Sequence, residues 1–212
     1  MIRLDGRKFN EARPIKISHN LIISASSSTQ LSIGSTTVIV AVFNKITTGT
    51  TKKKLEIEID SFDQMCTTET INLCKVSTDI MVKNNLKFLP GYQVSINVFI
   101  IEDDGNLLTV FLNALSQSLK QIKTLKSDEI IFSQIGILLM NKDLCIDPTK
   151  FETNLLEQEL FYAIVYDLKN RKLKIYEVMN LINQKKEKIS IDKYKLQKHT
   201  IEFGFHLFKL FN

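Results

Sequence analysis

The 212-residue chain is 44% hydrophobic and 24% charged, which suffices for a real core in one large domain or two small ones. Its net charge of +5 permits contact with nucleic acid without demanding it. The charged opening residues predict no signal peptide, no apolar run is long enough for a membrane helix, and Cys66, Cys74 and Cys145 lack CxxC spacing, which predicts free thiols in a reducing compartment.

In chain order, the first landmark is Arg3-Leu-Asp-Gly-Arg-Lys-Phe-Asn-Glu-Ala-Arg-Pro-Ile15. Asp5-Gly6 is turn chemistry, and Pro14 forces the chain extended into Ile15-Lys16-Ile17. Asp5 and Glu11 are placed to pair with Arg3, Arg7 or Arg13, three of only four arginines in the chain. On physics alone this is a salt-bridged N-terminal clasp. As a pattern, R-x-D-G-R-x-x-x-E-x-R-P-I resembles the opening of the RNase PH family. That family includes bacterial RNase PH, the core halves of polynucleotide phosphorylase and the six ring subunits of the RNA exosome.

The following segments agree with the resemblance. Ser26–Ile33 reads as a strand, Gly34-Ser35-Thr36 as a turn matching the family's G-x-T, and Thr37–Phe43 as a buried β-branched strand. Ser27 stands where the family usually has glycine. Thr47–Lys54 is a polar loop whose Lys52, Lys53 and Lys54 are candidate RNA phosphate contacts. Lysines there give no base readout, so the expected binding is weak, sequence-independent and salt-dependent. Leu55–Ile59 alternates as a strand with a charged outer face. RNA-binding members carry arginines in the loop that comes next. Here the loop offers Asp60, Asp63 and Glu69, with no basic residue between Lys54 and Lys75.

A helix over Thr68–Asn84 is broken by Leu89-Pro-Gly-Tyr92. Val94, Ile96, Val98 and Ile100 then alternate with polar residues as a strand, and Asp103-Asp104-Gly105-Asn106 is a turn. From Leu107 the period becomes helical. Leu107, Leu108, Val110, Phe111, Leu112, Ala114, Leu115, Leu119 and Ile122 cover an arc of about 200°, which predicts a helix packed deep between a sheet and another layer. Phosphorolytic relatives read D-G-G-T-R-T-A at this strand–helix junction and seat phosphate at the helix N-terminus, with the arginine as fixed charge. In the ungapped match Leu107 occupies the arginine position. Leucine cannot hold a phosphate, so the resemblance implies a lost phosphorolytic site.

Ile130–Met140 reads as one buried strand, Asp143–Asp147 as a shorter partner and Asp147-Pro148-Thr149 as a turn. The family's catalytic aspartate, which protonates the leaving 3′ oxygen, aligns with Glu159. Leu160–Tyr166 is a strand with the potential to pair across an edge, and Leu173–Val178 closes a hairpin with it. Lys185–Lys188 is a solvated charge run. Ser190 caps a final helix whose Ile201–Phe211 portion is apolar over about 220°. His199 and His206 lie on its polar edge and His19 stands alone in a strand, so no metal site is expected.

The expected fold class is α+β: the RNase PH-type fold with mixed sheets, packed helices and two βαβ-like halves, forming a single domain over residues 1–212. The motif begins at residue 3, like the ring subunits with short N-termini. The resemblance implies a non-catalytic structural subunit of the exosome core ring, without cofactor. It would support 3′→5′ RNA processing and degradation, rRNA processing included, as part of the ring and channel wall. Its expected partners are the other RNase PH-like ring subunits and the cap subunits, with RNA weak or met in the assembled channel, in the nucleus, nucleolus and cytoplasm. The alternative is an active phosphate-dependent 3′→5′ exoribonuclease.

Overall fold

The computed structural model describes residues 3–46, 55–64, 66–87, 92–122, 126–127, 130–132, 135–140, 143–154, 159–167 and 172–180. The lysines at 52–54, the charge run at 185–188 and the final helix with His199 and His206 lie outside them. In order the elements are β1 (Ile15–His19), β2 (Ser27–Ile33), β3 (Thr36–Ile46), β4 (Leu55–Ser61) and α1 (Thr68–Asn85). Then follow β5 (Leu86–Lys87), β6 (Tyr92–Glu102), α2 (Leu107–Lys120), β7 (Lys126–Ser127), β8 (Ile130–Phe132) and β9 (Ile135–Met140). The last are β10 (Asp143–Ile146), α3 (Lys150–Asn154), β11 (Glu159–Asp167) and β12 (Lys172–Asn180).

The first sheet has the order β1-β2-β3-β6-β4. β1, β2 and β3 form an antiparallel meander, and β3 pairs antiparallel with β6. β4 is parallel to β6, so β4-α1-β6 is a crossover unit and the sheet is mixed. One face of this sheet presents Leu31, Ile33, Val38, Val40, Val42, Val94, Ile96, Val98 and Ile100, all fully or almost fully buried. The two-residue period puts every second side chain of these strands on that face.

α2 packs on it. Phe111, Leu112 and Leu115 are among the largest fully buried side chains, each contributing about 1.5–3 kcal/mol of transfer free energy. Of the polar side of the helical wheel, Thr109, Asn113 and Ser116 are buried as well while Lys120 is exposed, and α2 also contacts β8 and β9. The helix does lie between two layers, as its wide apolar arc predicts.

The second sheet runs β10-β9-β11-β12 with β8 also on β11, and all its described pairs are antiparallel. β8 and β9 meet β11 in one register, Ile130 opposite Asp167 and Leu138 opposite Glu159, as the reading of Ile130–Met140 as a strand expects. One expectation is corrected here. Leu160–Tyr166 is no edge: β11 is bonded by β12 on one side and by β8 and β9 on the other. A strand's place in a sheet depends on long-range pairing, which its own sequence does not encode. The structure also adds the two-residue pairing of β5 with β7 and the single helical turn α3, both too short to show a period.

Candidate functional site

The motif fragments converge on the loop that launches α2. Gly105 has φ 89° and Asn106 φ 57°, so the chain turns left-handed twice before Leu107 starts the helix. Glycine and asparagine tolerate that region at least cost. Asn106 caps α2 without a side-chain cap bond. Its amide instead donates to Asp147 Oδ1 at 2.9 Å, and its oxygen accepts from the Thr109 hydroxyl. The backbone of Pro148–Lys150 presses on the same loop. A Cβ built on Gly105 would come within 2.4 Å of the Lys150 nitrogen, which itself donates to the Asp104 carbonyl at 3.0 Å.

Arg13 straps the loop down. It donates to the Asp104 carbonyl at 2.8 Å, to the Asp104 carboxylate at 3.0 Å and to the Gly105 carbonyl at 3.2 Å. Its Nε and Nη2 grip Asp147 at 2.9 and 2.8 Å, a bidentate pair, and its backbone N–H adds a third bond at 2.8 Å. The G-x-T turn belongs to this arrangement. Gly34 has φ 61°, and a Cβ there would meet Arg13 Cδ at 2.5 Å. The Thr36 hydroxyl donates to the Gly105 carbonyl at 2.7 Å and accepts from the Asp104 N–H at 3.0 Å.

Arg3 and Arg7 complete the cluster. Arg3 donates to Glu152 Oε1 at 2.6 Å, pairs with the other oxygen too, and bonds the carbonyls of Ile146 and Asp147, each at 2.8 Å. Arg7 reaches Asp147 Oδ2 at 3.1 Å and Asp5 at 2.6 Å. The sequence expectation was therefore right for one pair only, Asp5–Arg7. Glu11 contributes its carbonyl to Arg3 and Arg7, while its carboxylate accepts from the Lys8 N–H. The main counter-ions are Asp147 and Glu152, more than 130 residues downstream of the arginines. Three arginines facing only two nearby acids was the available hint that other carboxylates had to arrive from elsewhere.

The electrostatics are those of a lock. Burial works against the Asp147 carboxylate, but the hydrogen bonds and charge of Arg13 outweigh it and hold its pKa below the ordinary range. Glu152 is likewise opposed by burial and lowered overall by Arg3. The guanidinium pKa values of Arg3 and Arg13 rise, their carboxylate partners overcoming burial. Neither Asp147 nor Glu152 is raised toward neutrality, as a general acid would be.

A pH dependence follows. The unfolded carboxylates bind protons near pH 4, the folded ones only lower. Between those values the unfolded state binds more protons, so stability rises with pH there and is lost on acidification. Urea midpoints measured from pH 6 down to pH 3 should fall steeply below about pH 4.5. A flat profile across that window would show that the arginine–carboxylate pairs contribute nothing.

The remaining predicted positions fall as follows. Leu107 is the first residue of α2 and is 4% exposed, its side chain turned into the core. The first turn, Leu107-Leu108-Thr109-Val110, carries no cation, and the nearby Arg13 is committed to Asp104 and Asp147. Glu159 opens β11 opposite Leu138 of β9. The ring of His19 bonds Thr29 and Gln121. Cys74 and Cys145 are buried and Cys66 half-buried; burial pushes the Cys145 thiol up to about 11. Among the described residues no group of three or more His, Cys, Asp or Glu could hold a metal ion, and no helix is long and apolar enough to cross a membrane.

Residues 11–124 match the model of the 3′ exoribonuclease family, domain 1, the RNase PH family. That span is more than half of the chain and holds Arg13, Gly34, Thr36 and the α2 junction. The chain belongs to the RNase PH family. It is 26% identical over 195 residues to the exosome complex component Rrp41 of Archaeoglobus fulgidus, covering 85% of this chain and 74% of that protein. Among solved structures it resembles rice (Oryza sativa) Rrp46, with a TM-score of 0.77 at 18% identity over 99% of this chain and 97% of that one. A chain of the Archaeoglobus fulgidus exosome with RNA bound to the active site superposes with a TM-score of 0.73 at 19% identity, over 100% and 93% of the two chains. At these identities the structural likenesses establish the RNase PH fold, an α+β architecture with a mixed sheet.

Proposed function

We propose that this RNase PH-family chain is a non-catalytic subunit of an exosome-type ring. In this reading it forms part of the ring and of the RNA channel wall, and so supports 3′→5′ processing and degradation of RNA, rRNA included. The observation that carries it is Leu107. The ungapped match to the family puts its phosphate-holding arginine position at Leu107, a buried leucine at the start of α2 with no cation in that helical turn. The acidic stretch Asp60–Glu69 supports the same reading, since a polyanion is repelled where active relatives attract it. Glu159 is then a carboxylate without a phosphate to serve. The partners proposed are other RNase PH-like ring subunits and cap subunits, and a single domain over residues 1–212 is part of the proposal. Three free thiols suit the reducing nucleus and cytoplasm.

The similarity to archaeal Rrp41 favours a second reading, an active phosphate-dependent exoribonuclease. Two measurements separate them. Coexpressed with RNase PH-like ring subunits, the chain should elute as a stoichiometric heteromer, giving roughly 800 Å² or more to each neighbour. A well-behaved monomer that ignores those subunits removes the scaffold reading. Release of nucleoside diphosphates from a single-stranded oligonucleotide, dependent on phosphate and surviving repurification, establishes the second.

A further inference from the structure

β4 is the outermost strand of the first sheet, and among the described residues it pairs only with β6. At seven residues it is long for an open edge, and it carries neither the proline nor the lysine that usually blunts one. Its two faces differ sharply. Leu55, Ile57 and Ile59 line the inner face against the main core, yet Leu55 and Ile57 remain only half-buried, which leaves apolar surface at the edge. Glu56, Glu58 and Asp60 line the outer face and all three are exposed. They stand in register with Ser95, Asn97 and Phe99 of β6, none of which supplies a positive charge. Phe62 continues the outer row. It is 68% exposed and its ring lies 6.4 Å from that of Phe99, at 31°.

We infer that the β4 edge accepts an extended segment of a partner protein by strand addition. The segment carries basic residues at three alternate positions, opposite Glu56, Glu58 and Asp60, and an apolar residue opposite Phe62. The positions between them are apolar and extend the inner face beside Leu55 and Ile57. Main-chain bonds to the open edge supply affinity, while the acid row selects lysine or arginine at directly opposed sites. The occupant is protein rather than RNA, because three carboxylates repel phosphate and, beside an edge open among the described residues, match a cationic strand. This surface is distinct from the arginine lock and does not depend on ring membership.

The test uses the full chain and a synthetic heptapeptide of alternating lysine and valine ending in phenylalanine. Binding is read by titration, and the strand geometry by amide hydrogen exchange over residues 55–61. The peptide should bind and slow exchange at β4. The triple charge reversal E56K/E58K/D60K, confined to exposed side chains, should weaken binding at least about tenfold, and added salt should weaken the wild-type interaction. A control peptide with proline in place of each valine, unable to donate to a ladder, should leave exchange unchanged. The inference is overturned if the proline peptide binds equally well, or if the reversal has no effect on affinity. It is equally overturned if an oligouridylate displaces the peptide from β4, or if β4 is already protected by self-association of the chain. Should the triple variant not fold, the wild-type exchange pattern alone decides: protection at β4 by the lysine peptide supports the inference, and its absence overturns it.

Discussion

Asp147→Asn will destabilise the protein by about 3–5 kcal/mol, the cost of removing one partner from a buried ion pair. Asparagine keeps the size of the side chain and tolerates the left-handed backbone at this position, φ 49°. The substitution therefore isolates charge from backbone strain. What it removes is the charge and one of the two acceptor oxygens shared by Arg13, Arg7 and Asn106, on a side chain that is wholly buried. The new amide presents a donor to a ring of donors. The only remaining carboxylate partner of Arg13 would be Asp104, itself 41% exposed and a weaker one. Against a typical total stability of 5–15 kcal/mol, this is enough to abolish folding in a marginal protein. Asp5→Asn is the control: its side chain is 36% exposed in its pair with Arg7, and a surface pair is worth about 0–1 kcal/mol. Urea denaturation of both variants decides the matter. If Asp147→Asn lies within 1 kcal/mol of wild type, the network is ornament and the clasp holds nothing together.

Leu107→Arg should fail twice. It should restore no phosphorolysis, and it should cost on the order of 3 kcal/mol or more, because a guanidinium would enter a site only 4% exposed without a carboxylate of its own. Asp147, which the adjacent Asn106 contacts, already accepts from Arg13, Arg7 and Asn106. Leu107→Met, which conserves volume, should cost less than about 1.5 kcal/mol and so shows that the site tolerates replacement but not charge. Denaturation midpoints and a phosphate-dependent assay on a single-stranded oligonucleotide test both halves. A Leu107→Arg protein as stable as wild type that releases nucleoside diphosphates would mean that the anion site at the start of α2 survives, lacking only its arginine.

Much of the first sheet was readable locally. The alternation at Val94–Ile100 and the wide apolar arc from Leu107 each arise from neighbours in sequence, and both elements formed where the periods placed them. The α2 junction was also legible, since Asp103-Asp104-Gly105-Asn106 is turn chemistry whatever surrounds it. The second sheet was less so. The apolar stretch Ile130–Met140 was legible as strand, but β11 read as an available edge, because pairing partners lie outside the window that a pattern spans.

The site divides in the same way. From the sequence alone came the family, the acid row at Glu56, Glu58 and Asp60, and the expectation that Leu107 takes the family's arginine position, since each is a matter of which residue type stands at which position. Only the tertiary structure decided that Arg3, Arg7 and Arg13 are not a local clasp. It joined them to Asp147, Glu152 and Asp104, and made Gly34 and Thr36 parts of the same lock. The physical reason is burial. A charge in contact with water needs no particular partner, whereas a buried guanidinium must find a carboxylate with the right geometry, and here folding brings it from the far half of the chain.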